Sequence, residues 1–479
     1  MLFRFLDVYG RDRPSRLRHN LRLCTADACT ATPLVFLTVG GNFILASLIT
    51  QVYRIDNQTY GWISSLPSWC NALQIALVAG LARGCTSRQL SLGGAVAHAL
   101  VWGIIAVGLP WLPRDDPHRT ARALLVALAL ASMAQSFASV GWTSWVQEWL
   151  PRRLWGKYFG ARNRASSLAT VAFFVFVGWT TSQLADAVFA YQLIFGVTTL
   201  LRVMSCIWQS QMVTTPLEQS ALIYLGWRGQ LSRLARERDF VRFVIYGSVT
   251  AFVINLASPF YPVFAYESLR LSVDQYALLV LLATLGGAIA WPWWGRFTDQ
   301  HGCRNAIILS LATWSFTDLW WPFLHAGHAL WPLYFVWLWG GGASCGFLVG
   351  TFNWLLKLVP TQARVAGVSL NLALTSLMTA IAPILAGSWL DSAHAVSPAR
   401  AEWTFRALFL AKPLLQLAAL ILLRGIAEPA NTRFQSLLGA MRSQRQLLAS
   451  QVSPVLANFL SFRPPRGGRD RSDPPTNEE

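Results

Sequence analysis

Residues 294–305 read WGRFTDQHGCRN, a short charged knot between the apolar runs YALLVLLATLGGAIAWPW (276–293) and AIILSLATWSF (306–316). Runs of this kind joined by so small a polar turn point to two helices that leave and re-enter an apolar phase. In hydrocarbon only a helix satisfies its own backbone within one segment. The composition generalises the point. The chain has 479 residues, 54% hydrophobic and 13% charged, with mean hydropathy +0.40, whereas soluble domains carry about 25% charged residues. So little charge cannot coat a water-facing surface, and the chain is expected to be a multi-pass membrane protein.

About twelve runs are long enough to span, centred near Phe43, Leu73, Ile104, Ala131, Val175, Thr199, Asn255, Ala283, Trp314, Gly341, Leu377 and Leu415. The net charge of +17 is spread along the chain in a pattern. Arg4, Arg11, Arg13, Arg16, Arg18 and Arg22 precede the first run, and Arg152, Arg153, Lys157, Arg162 and Arg164 follow the fourth. Arg228, Arg233, Arg236 and Arg238 follow the sixth, while the alternate loops are poorer in base. By the positive-inside rule both termini are then cytoplasmic. The charge meets anionic lipid on that face of the cytoplasmic (inner) membrane, and no nucleic-acid partner is indicated.

The expected organisation is a basic cytoplasmic segment over 1–26, a six-helix bundle over 27–212 and a cytoplasmic linker over 213–239. A second six-helix bundle follows over 240–424, then a tail over 425–479, helical at first and then disordered. The halves read as weak copies. Trp145-x-x-Glu148-x-x-Pro151 leaves the fourth run as Trp354-x-x-Lys357-x-x-Pro360 leaves the tenth, and Phe195 precedes Arg202 as Phe409 precedes Gln416. Both pairs of features lie about 210 residues apart, the signature of a duplicated bundle with a site between the copies.

Several features exclude other classes. Seven cysteines stand singly, with no paired spacing for a disulfide frame or zinc. His325-x-x-His328 has no third ligand nearby. No cluster of acids, histidines or nucleophiles marks an enzyme, and no cofactor motif is present.

The string around the opening knot resembles the signature loop of the major facilitator superfamily, G-x-x-x-D-(R/K)-x-G-(R/K)-(R/K). Gly295, Asp299, Gly302 and Arg304 match it, whereas Gln300 and Cys303 depart. The first-half counterpart from Gly80 has Gly84 where the acid belongs. WVQEWLPRRLWGKYFGARNR (145–164) is similar to a bacterial branch of the same superfamily, matching at Pro151, Gly156, Tyr158, Phe159, Gly160, Arg162 and Asn163, with Glu148 standing for the acid. The resemblance implies an all-α fold of twelve helices in two bundles, alternating access, and transport of a small solute, with protons as a candidate coupling ion. The protein is expected to be a monomer. Alternatives are a non-transporting sensor or assembly factor on the same fold, or a polytopic enzyme.

Candidate site residues fall in three sets. Polar groups on the expected lining helices are Asn42, Asn71, Gln74, Gln135, Ser139, Trp142, Asn255, Ser258, Tyr261, Trp291, Asn371 and Thr375. They are amides, hydroxyls and rings with no acid, which suits an uncharged polar or amphiphilic solute. A gating set joins the signature loop to the ends of the fourth and tenth runs: Arg83 or Arg88 with Glu148, and Asp299 with Lys357 or Arg364. Intramembrane charges are Arg202, Asp318 and Lys412. Each costs about 2.5–3.5 kcal/mol on insertion scales and so requires a partner or water. Asp318 and Lys412 are expected at similar depth.

Overall fold

The computed structural model describes residues 15–81, 86–150, 155–184, 186–213, 227–327, 330–359 and 364–428. Among these the chain is helical nearly throughout. The first half holds α1 (Ser15–Leu37), α2 (Phe43–Ser47), α3 (Asn57–Leu81), α4 (Ser87–Gly108), α5 (Pro117–Trp149), α6 (Trp155–Gln183) and α7 (Ala187–Ser210). A short surface helix, α8 (Trp227–Arg236), leads into the second half. That half holds α9 (Arg238–Ala257), α10 (Tyr261–Glu267), α11 (Val273–His301), α12 (Cys303–Asp318), α13 (Trp331–Leu358), α14 (Arg364–His394) and α15 (Pro398–Ala419).

Nine helical segments among the described residues are long and apolar enough to cross a membrane. Their outer faces carry large apolar side chains with no protein cover, such as Ile104 at 70% and Ile289 at 75% exposure. A water-soluble protein does not leave so much apolar surface open; lipid covers it here. Within the first half α1 packs on α6 and α7, α4 on α5 and α7, and α3 on α5. Within the second, α11 and α12 pack on α13, and α14 and α15 on α9. The halves are joined chiefly by α3 with α14 and α6 with α11, and also by α2 with α10 and α11.

Local chemistry fixes the ends. Thr86 with Gln89 and Ser272 with Gln275 form capping boxes at the starts of α4 and α11. Asp186 accepts from the amides of Val188 and Phe189 at the start of α7. The first expected run, centred on Phe43, is in fact split. Gly41 adopts φ +71°, and Asn42 caps α2 by accepting from Leu45 N at 2.9 Å while donating to the Leu37 and Val39 carbonyls. The corresponding helix of the second half is also split, by a 3-10 turn over Ser258–Phe260. Moreover α1 begins at Ser15, inside the stretch read as a basic segment, because Leu21, Cys24 and Ala28 give it a buried face.

The opening knot is also tighter than expected. Residues 294–301 continue α11, with Thr298 Oγ1 donating to the Trp294 carbonyl. The turn itself is Gly302 alone, at φ +87°, the left-handed region that glycine enters without steric cost.

Candidate functional site

The interruptions of the two split helices meet. A Cβ on Gly41 would press on Pro259, and Tyr60 Oη donates to the Pro259 carbonyl at 2.9 Å. From this point toward one end the halves are sealed. Asp391, near the end of α14, accepts from the Asn57 and Gln58 amides at the start of α3, at 3.0 and 2.6 Å. That placement puts a carboxylate on the positive end of a helix. Gly61 and Gly387 let α3 and α14 touch backbone to backbone, since a side chain on either would strike Pro383 or Asn57. Tyr266 Oη donates to the Phe43 carbonyl at 3.0 Å.

Behind the seal lies a cavity of about 470 Å³. Its walls come mainly from the second half, with Phe36 of α1, Phe43 of α2 and residues 39–42 between them contributing. Of the residues expected to line a cavity, Asn42, Asn255, Ser258, Tyr261, Asn371 and Thr375 do so. Several have their polar atoms engaged by protein. Asn42 is consumed as a cap, and Thr375 Oγ1 donates to the Asn371 carbonyl. Asn255 Nδ2 donates to the Ala251 carbonyl and to Thr379 Oγ1. Asn371 Oδ1, in contrast, is buried with no protein donor. It lies beside Gly247 of α9.

Asp318 and Lys412 also belong to the cavity wall. Lys412 Nζ lies 2.8 Å from Asp318 Oδ2, with both side chains almost wholly buried. Tyr261 Oη bridges them, donating to Asp318 Oδ1 and accepting from Lys412 Nζ, each at 3.2 Å. The ammonium also sits 4.9 Å from the Trp314 ring and 5.0 Å from the Tyr261 ring, a cation–π arrangement that partly replaces lost water. Tyr261 is held in turn by stacking on Phe409, centroids 4.6 Å apart. The pair is neutral as a unit, so the cavity presents no uncompensated charge from it.

The remaining candidates lie elsewhere. Asn71 Oδ1 accepts from Ser136 Oγ at 3.0 Å, and Gln74 is buried between helices. Ser139 lends its carbonyl to Thr143 Oγ1, the Trp142 ring lies 4.3 Å below the Arg162 guanidinium, and Trp291 packs beside Trp294 and Cys345. Gln135 Oε1 accepts from Arg202 Nη2 at 3.1 Å. Arg202 also donates to Ser205 Oγ, which donates to Asp27 Oδ1 at 2.6 Å. Asp27, buried at 2% exposure and further held by Gln209 Nε2, is the counter-charge that the sequence reading missed. Its position in the polar string TADACT, at the border of the first run, gave no sign of burial.

The gating set is partly rearranged. Lys357 Nζ meets Glu428 Oε1 at 3.0 Å rather than Asp299. Glu428 also accepts from the Cys303 and Arg304 amides at the start of α12. It out-competes Asp299, which sits on an exposed turn of α11 without those amides. Burial alone would raise the Glu428 carboxyl, but the two amides and Lys357 hold it below its usual value. Gly295 lies within α11, away from the turn. Arg88 donates to the Ser210 carbonyl at 2.7 Å and lies over Trp145. Arg83 and the side chains of Glu148 and Arg364 are outside the described residues.

The described helices thus enclose a polar and aromatic cavity between their two sets. The family model of the Major Facilitator Superfamily matches residues 243–463. No curated protein matches the sequence. Solved structures share the fold at low identity. A bacterial homolog of the human lysosomal transporter Spinster, inward-facing and unoccupied, is 12% identical with TM-score 0.61, covering 92% of this chain and 100% of that one. The nucleoside transporter NupG is 11% identical with TM-score 0.65, covering 86% of this chain and 100% of its own.

Proposed function

We propose that the protein carries a small, uncharged, polar or amphiphilic solute across the cytoplasmic membrane by alternating access. In this reading α1–α2, α3 and α12 cross beside the nine apolar segments. That gives twelve spans in two bundles, 27–212 and 240–424, with both termini cytoplasmic, a linker over 213–239 and a tail from 425. The sealed end is then external and the state inward-facing. The protein acts as a monomer, its basic cytoplasmic face lying on anionic lipid.

The observation that carries the substrate class is the cavity wall itself. It combines the amide side chain of Asn371, the hydroxyls of Ser258 and Thr379, and the rings of Trp314 and Trp337, while its buried charges cancel. A charged solute would enter without a counter-charge. A neutral solute with a ring and hydrogen-bonding groups, of which a nucleoside is one kind, meets both features. Asp318 is the acid we assign to coupling with protons; facilitated movement without coupling is the other outcome.

The test is thermal stabilisation of the purified protein by neutral sugars, nucleosides and amides, with organic anions and cations alongside, followed by flux in proteoliposomes. A ligand at about 100 times its Kd adds roughly 2.7 kcal/mol. A neutral ligand that stabilises and shows saturable flux is expected. Stabilisation and flux confined to charged solutes would overturn the substrate class. A ligand that binds with no flux would favour a sensor.

A further inference from the structure

The seal at one end of the cavity brings like charges together from both halves. The start of α3 offers three successive amides to two carboxylates. Asp56, in the first half, accepts from Thr59 N at 2.8 Å and from Thr59 Oγ1 at 2.9 Å. Asp391, on α14 of the second half, accepts from Asn57 N at 3.0 Å and from Gln58 N at 2.6 Å. The two carboxyls therefore lie against each other. Glu267, at the end of α10, is a third acid whose charge bears on Asp391. Among the described residues no base forms an ion pair with any of the three. The bases next to them in the chain are Arg54, Arg270, His394 and Arg400, and Glu402 of α15 is engaged by Arg406.

The backbone fixes this encounter. Gly387 precedes Asp391 by one turn on the same face of α14, and a Cβ there would strike the Asn57 carbonyl oxygen. Gly61 meets the Pro383 carbonyl in the same way. With the two backbones in contact, Asp391 cannot draw back from Asp56 while the seal stays shut. When the halves part, Asp391 leaves with α14 and Asp56 stays at the start of α3. A helix N-terminus favours a carboxylate, and its amides hold one of the two ionised. A second carboxylate pressed against the first, with no base to compensate, is disfavoured; two carboxyls that share a site do not readily ionise together.

We infer that closing this seal takes up one proton, shared between Asp56 and Asp391, and that opening it gives the proton back. The proton bridges one oxygen of each carboxyl, and the amides of residues 57–59 keep their acceptors. The pair then places one negative charge, not two, on the α3 N-terminus. After opening, Asp56 remains the cap of α3, Asp391 enters water, and both ionise. Acid therefore favours the sealed state and alkali the open one, because the sealed state holds more protons. The preference levels off in strong acid, where the separated acids are protonated as well. One proton per closure changes the closed-to-open ratio by at most about tenfold per pH unit. This linkage belongs to the gate and operates with the cavity empty, apart from Asp318. It rests on the transport reading only in taking the sealed end as external and its opening as a step of the cycle.

Distances between spin labels on the full chain test the linkage without any solute. The labels go on Gln183→Cys and Ala395→Cys, exposed positions of opposite halves at the sealed end, with the seven native cysteines replaced by serine. Spectra are taken in detergent between about pH 5 and pH 8, a range above the ordinary aspartate value. The short-distance population is expected to grow as pH falls. In Asp56→Asn and in Asp391→Asn it is expected to stay constant over the same range, since neither variant holds two carboxyls on α3. Should the cysteine-free chain fail to fold, infrared spectra of the unlabelled protein replace the distances. They are expected to show a protonated-carboxyl band at neutral pH that is lost in both variants. A short-distance population that ignores pH or grows with it, or a pH response or band that survives in both variants, overturns the inference. Absence of flux alone counts against the transport reading and leaves this linkage standing.

Discussion

At the scale of single residues, the buried charges bear on stability, and the polar groups of the cavity wall bear on the recognition we propose. Removing one partner of a buried pair leaves the other uncompensated, at about 3–5 kcal/mol, whereas replacing both with groups of similar volume is close to neutral. Lys412→Met is therefore expected to lower the unfolding midpoint strongly and the double change with Asp318→Asn to restore most of it; equal losses in both would contradict the pairing. Asn371→Leu removes an amide side chain that lines the cavity. A neutral hydrogen bond contributes about 0.5–1.5 kcal/mol, so solute affinity should fall about two- to tenfold while the melting temperature holds or rises. Affinity unchanged by the substitution would place the solute elsewhere. Asp318 and Lys412 were legible because a charge inside an apolar run demands a reason. Asp27 was not, since its neighbours are polar, and Glu428 stands 71 residues from Lys357 in sequence, beyond the reach of any local pattern.

At the scale of elements, the ends and breaks of helices do what their middles do not. Glu428 fastens the start of α12 to the end of α13, and its carboxyl is held below the usual value. A group depressed in the folded state stabilises it above the unfolded value and loses that contribution as pH falls through the folded value. The wild type should therefore exceed Glu428→Gln in stability at neutral pH. The gap should close in acid, below the ordinary carboxylate range; a gap independent of pH would show that the amide replaces the carboxylate in full. The helices themselves were plain from their apolar runs. Their interruptions were not, although Gly40-Gly41-Asn42 and Ser258-Pro259 carried the signal. Glycine pairs and a serine–proline step read equally well as packing sites and tolerated kinks within a span. The signature string was read as a loop, but α11 runs on through it and only Gly302 turns.

At the scale of the whole molecule, the cavity draws its wall mainly from the second half of the chain. The Trp-x-x-charge-x-x-Pro strings suggested a repeat, and the first-half candidates Asn71, Gln74, Gln135, Ser139 and Trp142 lie away from the cavity, with Gln135 in the Arg202–Asp27 network. Which face of a helix looks inward depends on its neighbours, and spacing within one helix does not carry that information. The halves are held at one end by the Asp391 contact with α3 and by Tyr60 and Tyr266. Alternating access requires that these contacts part in every cycle. The most direct test pairs Gln58→Cys with Asp391→Cys, since the Gln58 amide already lies 2.6 Å from the Asp391 carboxylate. Flux of a stabilising neutral solute into proteoliposomes would be measured before oxidation, after it, and after reduction. The account expects flux to fall to background when the disulfide forms and to return when it is reduced. Undiminished flux through a fully cross-linked protein would contradict it.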